Sequence, residues 1–132
     1  FKRECRRILS GGGRVALIWN SRVEDSPVVR EEGDIHRLYC PRFDGFSGGL
    51  ATLTDSIGAF FNHRFRVFRF PNDLSYTREQ YLRCMMSASY ALTEGGEERS
   101  SWLDALERLF GRFETEGRVT VPNETVVYLG SC

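Results

Sequence analysis

The sequence predicts an α/β fold in which helices alternate with the strands of a largely parallel sheet. The segment Val15–Trp19 is apolar without interruption, which is typical of a strand covered on both faces, as strands of parallel sheets are. A helix-like segment and a glycine-rich turn come directly before it. The complete order of helix, strand, helix, short helix, strand, helix, helix and strand is that of an α/β domain.

The first helix is predicted from the helical spacing of its apolar residues Phe1, Cys5 and Ile8. Gly11 stands where a left-handed C-cap residue is expected. A parallel strand needs parallel neighbours, yet only this helix precedes Val15–Trp19. We therefore expect the chain to be an interior piece of a larger domain, a single portion spanning residues 1–132 whose N-terminal half is absent.

A second helix is predicted to follow the first strand. Asp25 or Ser26 is a suitable N-cap, Pro27 suits the first helical turn, and Cys40-Pro41 ends the helix after Tyr39. One face of this helix carries Val28, Glu32, Ile35 and Tyr39. Residues 41–50 combine glycines with two phenylalanines, which predicts a loop of the kind that often covers a binding site.

A short helix is predicted over Thr54 to Phe61, followed by a strand over Arg64 to Phe70. Arginine alternates with apolar residues along this strand, and the alternation slips at Val67-Phe68. The slip indicates either a bulge or partial cover on both faces. Pro71-Asn72-Asp73 then predicts a turn.

The start of the next helix is well marked, because Thr77 and Gln80 have the spacing of a capping box. We expect this helix to run to about Tyr90. The segment Glu94 to Glu97 should interrupt the helical pattern.

A further helix should begin at a cap on Ser100 or Ser101 and end at Gly117. Its apolar residues follow core-facing helical spacing: Trp102, Leu103, Leu106, Leu109, Phe110 and Phe113. Arg118 to Leu129 is predicted to be extended, with a break at Pro122-Asn123.

Composition excludes several classes of function. The 132 residues contain 18 lysines and arginines against 18 aspartates and glutamates, so no net field attracts nucleic acid. The apolar runs are far shorter than the roughly 20 residues that span a bilayer. We expect a soluble cytoplasmic protein with neither nucleic acid nor a membrane as partner.

The four cysteines and two histidines show no metal-binding spacing. No Cys-x-x-Cys pair occurs, and His36 and His63 lack a partner at ligand distance in the sequence. Scattered cysteines in a chain of this size are typical of reduced, mostly buried thiols. No metal site is predicted.

A ligand site is predicted where the first strand ends, because ligands of open α/β sheets bind beyond the carboxyl ends of the strands. Arg22 is suited to hold a substrate carboxylate, Asn20 to orient a polar group, and Trp19 to enclose the substrate. The alternative interpretation is structural. In it, Arg22 pairs with Glu24 or Asp25, and Trp19 belongs to the core.

Two other motifs favour structure over chemistry. Gly11 to Ala16 matches a dinucleotide-binding fingerprint in letters, but it follows a helix and opens a strand, which is the reverse of the required order. Ser87 and Ser89 have no recognisable histidine partner, so they are expected to pack or to bond to the backbone rather than act as nucleophiles.

Four segments together resemble one family. They are Arg7–Arg22, Phe65–Asn72, Ser87–Tyr90 and Val119–Gly130, and they are similar to the C-terminal half of class I S-adenosylmethionine-dependent methyltransferases, in the small-molecule branch that includes trans-aconitate-type enzymes. The family often has proline where this chain has Gly11. The resemblance implies a Rossmann-like sheet of which this chain holds strands 5, 6 and 7, the seventh antiparallel and between the other two.

The resemblance also implies an activity. The parent protein would transfer a methyl group from S-adenosylmethionine to a small polar acceptor, with Tyr90 near the substrate side. The Gly-rich turn and the acidic residue that hold the cofactor would lie in the absent half, so the chain alone is expected to be inactive and not to bind the cofactor. The alternative is a non-catalytic module that binds a ligand or dimerises through the exposed strand Val15–Trp19.

Overall fold

The fold was analysed in a computed structural model, which describes residues 1–46, 54–93 and 97–132. The loop predicted over residues 41–50 therefore lies partly outside the described residues. Glu94, Gly95 and Gly96 of the predicted helix break also lie outside them. Within the described ranges the chain is α/β. Its elements are α1 (Lys2–Ile8), β1 (Val15–Arg22), α2 (Pro27–Tyr39), α3 (Thr54–Phe60), β2 (Phe65–Pro71), β3 (Leu74–Thr77), α4 (Arg78–Met86), α5 (Glu97–Phe113), β4 (Arg118–Val121) and β5 (Asn123–Gly130).

Three strands form the larger sheet, in the order β1-β5-β2. β5 runs antiparallel to both neighbours, so β1 and β2 point in the same direction without touching. This agrees with the expectation that the last strand lies antiparallel between the other two. The expectation of parallel ladders is wrong for the described residues, because every strand pairing there is antiparallel.

The prediction that β1 is covered on both faces is also wrong. Along the strand, half-buried residues alternate with exposed ones, and Ile18 is 60% exposed. Val127 and Phe68 continue the same face on the neighbouring strands. This face stays open because no described element packs over β1 there, although its residues are as apolar as those of a buried strand.

The slip in the β2 pattern is not a bulge. The pairing of β2 with β5 runs without a break through Val67 and Phe68. Val67 is 43% exposed and Phe70 is 54% exposed, so neither face of the strand is closed. The alternation slips because the open sheet face carries apolar side chains.

A small two-stranded sheet, which the sequence analysis missed, joins β3 to β4. The predicted extended segment Arg118–Leu129 is divided by Pro122 into two strands that belong to different sheets. The break itself was predicted. The missing element is β3, four residues that end at Thr77, the N-cap residue of α4.

Helix ends follow local chemistry only in part. The capping box of α4 is confirmed, since Thr77 Oγ1 accepts from the Gln80 amide at 3.3 Å and the Thr77 amide donates to Gln80 Oε1 at 3.0 Å. However, α4 ends at Met86 rather than Tyr90, and the Ser87 hydroxyl there donates to the carbonyl of Cys84 at 2.8 Å.

Other predicted boundaries shift by a few residues. α5 begins at Glu97 and not at a cap on Ser100 or Ser101, and it ends at Phe113, before Gly117. α1 ends at Ile8 with an extended C-cap at Leu9, so the predicted left-handed C-cap at Gly11 is wrong; the left-handed residue of the following turn is Gly12 (φ 80°). α2 begins at Pro27 after an N-cap at Ser26 and ends before Cys40, as predicted.

The main core lies between the helices and the small sheet, where α2 packs on α5. Its buried residues include Val29, Cys40, Phe46, Tyr81, Met85, Trp102, Leu106, Leu109, Val119 and Val121. A second group, Cys5, Ile57, Phe61 and Val126, is buried where α1 and α3 accompany the larger sheet. None of the helices in the described ranges has the length and apolar character needed to cross a membrane.

Candidate functional site

A cavity of about 360 Å³ opens at the carboxyl end of β1. This volume is within the range of sites for small molecules. Its walls come from β1, the start of β5, the segment after α2 and the turn after α4. The lining residues are Asn20, Arg22, Arg42, Asp44, Gly45, Phe46, Ala88, Ser89, Tyr90 and Asn123.

Three of the four residues predicted for the site line this cavity: Asn20, Arg22 and Tyr90. Trp19 does not. Successive side chains of a strand point to opposite faces, and the ring of Trp19 packs edge-on against Tyr128, with centroids 5.7 Å apart. Trp19 therefore packs on the sheet but is only half-buried, so it does not belong to the core as the structural alternative predicted.

Arg22 is held at the cavity by a buried carboxylate. Its Nη2 lies 3.2 Å from Glu32 Oε1, and its Nη1 donates to Glu32 Oε2 at 3.4 Å. The predicted partners Glu24 and Asp25 are not used. The Arg22 guanidinium also lies over the ring of Phe46, 4.9 Å from the centroid, which fixes its plane.

Glu32 is completely buried and receives further donors. The Tyr81 hydroxyl donates to Glu32 Oε2 at 3.0 Å. Burial raises the pKa of Tyr81, and the neighbouring Glu32 carboxylate raises this pKa further, so the phenol keeps its proton. Arg22 and Tyr81 together provide the compensation that a buried carboxylate requires.

A second polar pair lies behind Glu32. Trp102 Nε1 donates to His36 Nδ1 at 3.2 Å, so in the neutral imidazole the proton is on Nε2. His36 Nε2 lies 3.6 Å from Glu32 Oε1, beyond hydrogen-bond distance, and both atoms lack a hydrogen-bond partner among the described residues. The Arg22–Glu32 contact is an ion pair by distance, although its alignment at Oε1 does not meet hydrogen-bond geometry.

Aromatic rings surround this polar chain. His36 lies 5.1 Å from the ring of Phe43 and 4.9 Å from the ring of Tyr90, measured between centroids. Burial raises the pKa of Tyr90 to about 12, so its hydroxyl is a hydrogen-bond donor at neutral pH. Of these three rings, that of Tyr90 lines the cavity, beside the polar side chains of Asn20 and Arg22.

Side-chain hydrogen bonds tie the three strands together beside the cavity. Thr125 Oγ1 donates to Asn20 Oδ1 at 2.8 Å, and Asn72 Nδ2 donates to Thr125 Oγ1 at 3.2 Å. Asn72 and Asp73 connect β2 to β3 without forming the predicted turn. They bind β5 instead: the Asn123 amide donates to Asp73 Oδ1 at 3.1 Å. This network fixes the position of Asn20 at the cavity.

The rim of the cavity is more exposed. Arg42 Nη2 donates to the carbonyl of Ala91 at 3.2 Å, which attaches the segment after α2 to the turn after α4. The side chains of Asp44 and Ser89 have neither a hydrogen bond nor an ion pair within the described part of the chain. Both are available to a ligand.

The sequence analysis missed the supporting residues Glu32, His36, Tyr81 and Trp102. A signal was present, because Glu32 stands on the apolar face of α2 and His36 follows it at i+4. A carboxylate on such a face must be compensated in the core. Their partners come from α4 and α5, and sequence spacing does not show that contact.

Neither metal ligation nor a disulfide occurs among the described residues. No group of three His, Cys, Asp or Glu side chains there is arranged to hold a metal ion. The four cysteines are free thiols; Cys5 and Cys40 are buried, whereas Cys84 and Cys132 are half-buried, so the expectation of mostly buried thiols holds for two of the four.

The chain was also compared with known proteins. No protein-family model matches it, and no curated protein sequence matches it either.

Proposed function

We propose that the protein to which this chain belongs transfers a methyl group from S-adenosylmethionine to a small polar acceptor, and that this chain supplies the acceptor side of a Rossmann-like domain. The observation that carries the proposal is the strand arrangement. Two strands point in the same direction with the antiparallel last strand between them, and a cavity lies at the carboxyl end of the first. The resemblance of the strand segments to methyltransferases calls for this order.

The edge of β1 supports the same proposal. One edge of β1 pairs with β5, and its other edge has no strand partner in the described ranges. This edge suits further strands from the parent protein, and the exposed Ile18 suits an element that packs on the open sheet face. Those strands would carry the cofactor site, since the cavity residues of this chain do not include a Gly-rich turn that follows a strand.

The cavity residues suit the positioning of an acceptor. S-adenosylmethionine supplies, when bound, a methyl group activated by a sulfonium centre. Alignment of the acceptor and exclusion of water contribute strongly to such a reaction. Arg22 and Asn20 are held rigidly at the carboxyl end of β1, and Phe46 and Tyr90 cover the cavity on its apolar side.

Calorimetric titration with S-adenosylmethionine tests the proposal. We expect the full-length protein to bind the cofactor and the isolated chain of residues 1–132 not to bind it. Binding by the isolated chain with micromolar affinity would contradict the assigned division between the halves. A full-length protein that does not bind the cofactor would contradict the function itself.

An Arg22→Lys variant of the full-length protein tests the acceptor side separately. Lysine keeps the charge but loses the paired donors that meet Glu32. We expect cofactor affinity to be unchanged and methyl transfer to fall. Equal loss of both would place the fault in folding rather than in acceptor binding.

A second candidate function is a non-catalytic module that self-associates. The unpaired edge of β1 and the exposure of Ile18 favour it, because an open edge can add a strand from another copy. Association of the isolated chain is the measurement that bears on this candidate.

A further inference from the structure

The floor of the cavity carries a compensated charge. Arg22 is the cation at the floor, and its side chain is 15% exposed, while Glu32 behind it is fully buried. Because Glu32 lies 3.2 Å away from the guanidinium, the pair presents the positive end of a dipole to the cavity rather than a free positive charge. Such a floor suits an uncharged oxygen acceptor better than a carboxylate.

The rim also carries balanced charges. Of the other lining residues, Arg42 is the cation and Asp44 is the anion. Both are exposed, so water screens them. With Glu32 behind Arg22, the cavity has two cations and two carboxylates, and no sign prevails.

The remaining lining is neutral. Asn20, Ser89, Tyr90 and Asn123 offer amide and hydroxyl groups, while Phe46 and Ala88 are apolar. The Arg22 guanidinium covers the ring of Phe46, which is 8% exposed, so the half-buried ring of Tyr90 is the one with area left for stacking on a flat apolar group. The lining thus combines one aromatic ring with neutral donors.

We propose that the cavity binds a small uncharged molecule with a flat apolar body and a hydroxyl or carbonyl oxygen directed at Arg22, and that small anions are disfavoured. This inference rests on the proposed function, since it names the acceptor class for the same site. It departs from what the resemblance to enzymes of small carboxylic acids suggests. The difference comes from Glu32, whose carboxylate offsets the charge of Arg22 and engages one contact at each of its two terminal nitrogens, while other N–H groups of the guanidinium are left for a neutral oxygen.

Three probes that share one ring but differ in terminal charge test the inference. They are 4-hydroxyphenethyl alcohol, which is uncharged, tyramine, which is a cation, and 4-hydroxyphenylacetate, which is an anion. Calorimetry on the full-length protein should give the uncharged probe an affinity roughly fivefold or more above both charged probes. Tighter binding of the anion or of the cation, or no binding of any probe, would overturn the inference.

Variants localise the binding and test the role of charge. Ser89→Trp should abolish probe binding by filling the cavity, while Ser101→Trp, on an exposed position of α5, should not. Asp44→Asn should raise the relative affinity of the anion a few-fold, whereas Asp55→Asn on α3 should leave the ranking unchanged. An unchanged relative affinity of the anion in Asp44→Asn, or binding that survives Ser89→Trp, would contradict the assignment.

The two proposals fail separately. If the full-length protein does not bind S-adenosylmethionine, the proposal of a methyltransferase is rejected. The ligand class is judged only by the relative affinities of the three probes and by how Ser89→Trp and Asp44→Asn change those affinities. A protein that binds the cofactor but prefers the anionic probe would retain the first proposal and reject the second.

Discussion

Glu32 is the residue on which the polar chain behind the cavity depends. Glu32→Gln would leave Arg22 as a largely buried charge without its carboxylate partner. Removing one member of a buried ion pair typically costs about 3–5 kcal/mol. We expect a loss of this order in the free energy of unfolding, measured by urea titration.

Asp34→Asn is the matched control on the same helix. Asp34 pairs with Arg37 at 2.8 Å, but both side chains are more than half exposed. Its replacement should change the unfolding free energy by about 0.5 kcal/mol or less. Equal effects of the two substitutions would show that Glu32 does not need its buried partners.

Tyr90 gives the protein a dependence on alkaline pH. Burial raises the pKa of Tyr90 to about 12 in the folded chain, from an ordinary value of 10.0. Between these two pH values the unfolded chain has lost the phenolic proton while the folded chain keeps it, so the free energy of unfolding falls as the pH rises. Below pH 10 this contribution is fully present.

The measurement compares urea unfolding at pH 9 and pH 11.5 for the wild type and for Tyr90→Phe. We expect the decrease in stability to be smaller in the variant, because the variant lacks the titrating hydroxyl. A decrease of the same size in both proteins would contradict the role assigned to Tyr90.

At the scale of residues, sequence position predicted part of the site. Asn20 and Arg22 follow from the rule that ligands bind at the carboxyl ends of strands. The prediction that Trp19 lines the site was wrong because neighbouring residues of a strand face opposite sides of the sheet, and the sequence does not show which side holds the cavity. The predicted pairing of Arg22 with Glu24 or Asp25 was wrong because the fold brings the carboxylate of the more distant Glu32 to the guanidinium.

At the scale of elements, the capping box of α4 tests how a local signal fixes a helix start. Thr77→Ala removes the side-chain acceptor of the Gln80 amide. The expected loss is about 1 kcal/mol in the free energy of unfolding. Ser101→Ala, at an exposed position inside α5, should change it by about 0.5 kcal/mol or less; a larger loss there would mean that Ser101 caps a helix after all.

The end of β5 depends on the absence of a side chain at Gly130. A Cβ there would lie 2.7 Å from the carbonyl oxygen of Arg64 and 2.7 Å from Cδ1 of Phe61. Because the first of these is backbone, Gly130→Ala should destabilise the protein by about 1–3 kcal/mol in thermal or urea unfolding.

Gly11→Ala is the matched control for this substitution. No atom lies within 4 Å of a Cβ built at Gly11. Its backbone is not in the left-handed region, so alanine should be neutral or stabilise by up to about 1 kcal/mol. A loss at Gly11 as large as that at Gly130 would contradict the steric explanation.

The elements that the sequence predicted well are those with long or repeated signals. The helical spacing that leads to Trp102 and Leu109 identified α5, and the apolar run identified β1. β3 was missed because four residues are too few for a pattern. Whether a face is covered depends on neighbouring elements, so the exposure of Ile18 could not be derived from its apolar character.

At the scale of the whole molecule, the open edge of β1 predicts association of the isolated chain. Sedimentation velocity at increasing concentration should show a dimer or larger species. A charged side chain at the edge disfavours strand pairing, so Ile18→Lys should weaken association. Leu38→Lys, at a 75% exposed position on α2, should not. A wild-type chain that stays monomeric at high concentration would contradict this prediction.

Pro122 is the one residue between β4, which belongs to the small sheet, and β5, which belongs to the larger sheet. The carbonyl of Pro122 accepts from the Val23 amide at 3.0 Å, and the next residue, Asn123, accepts from the Asn72 amide at 2.8 Å. Hydrogen bonds from Val23 and Asn72 therefore fix the connection between β4 and β5. Melting of either sheet would pull Asn123 away from the cavity wall, so loss of ligand affinity should accompany the first step of denaturation rather than follow it.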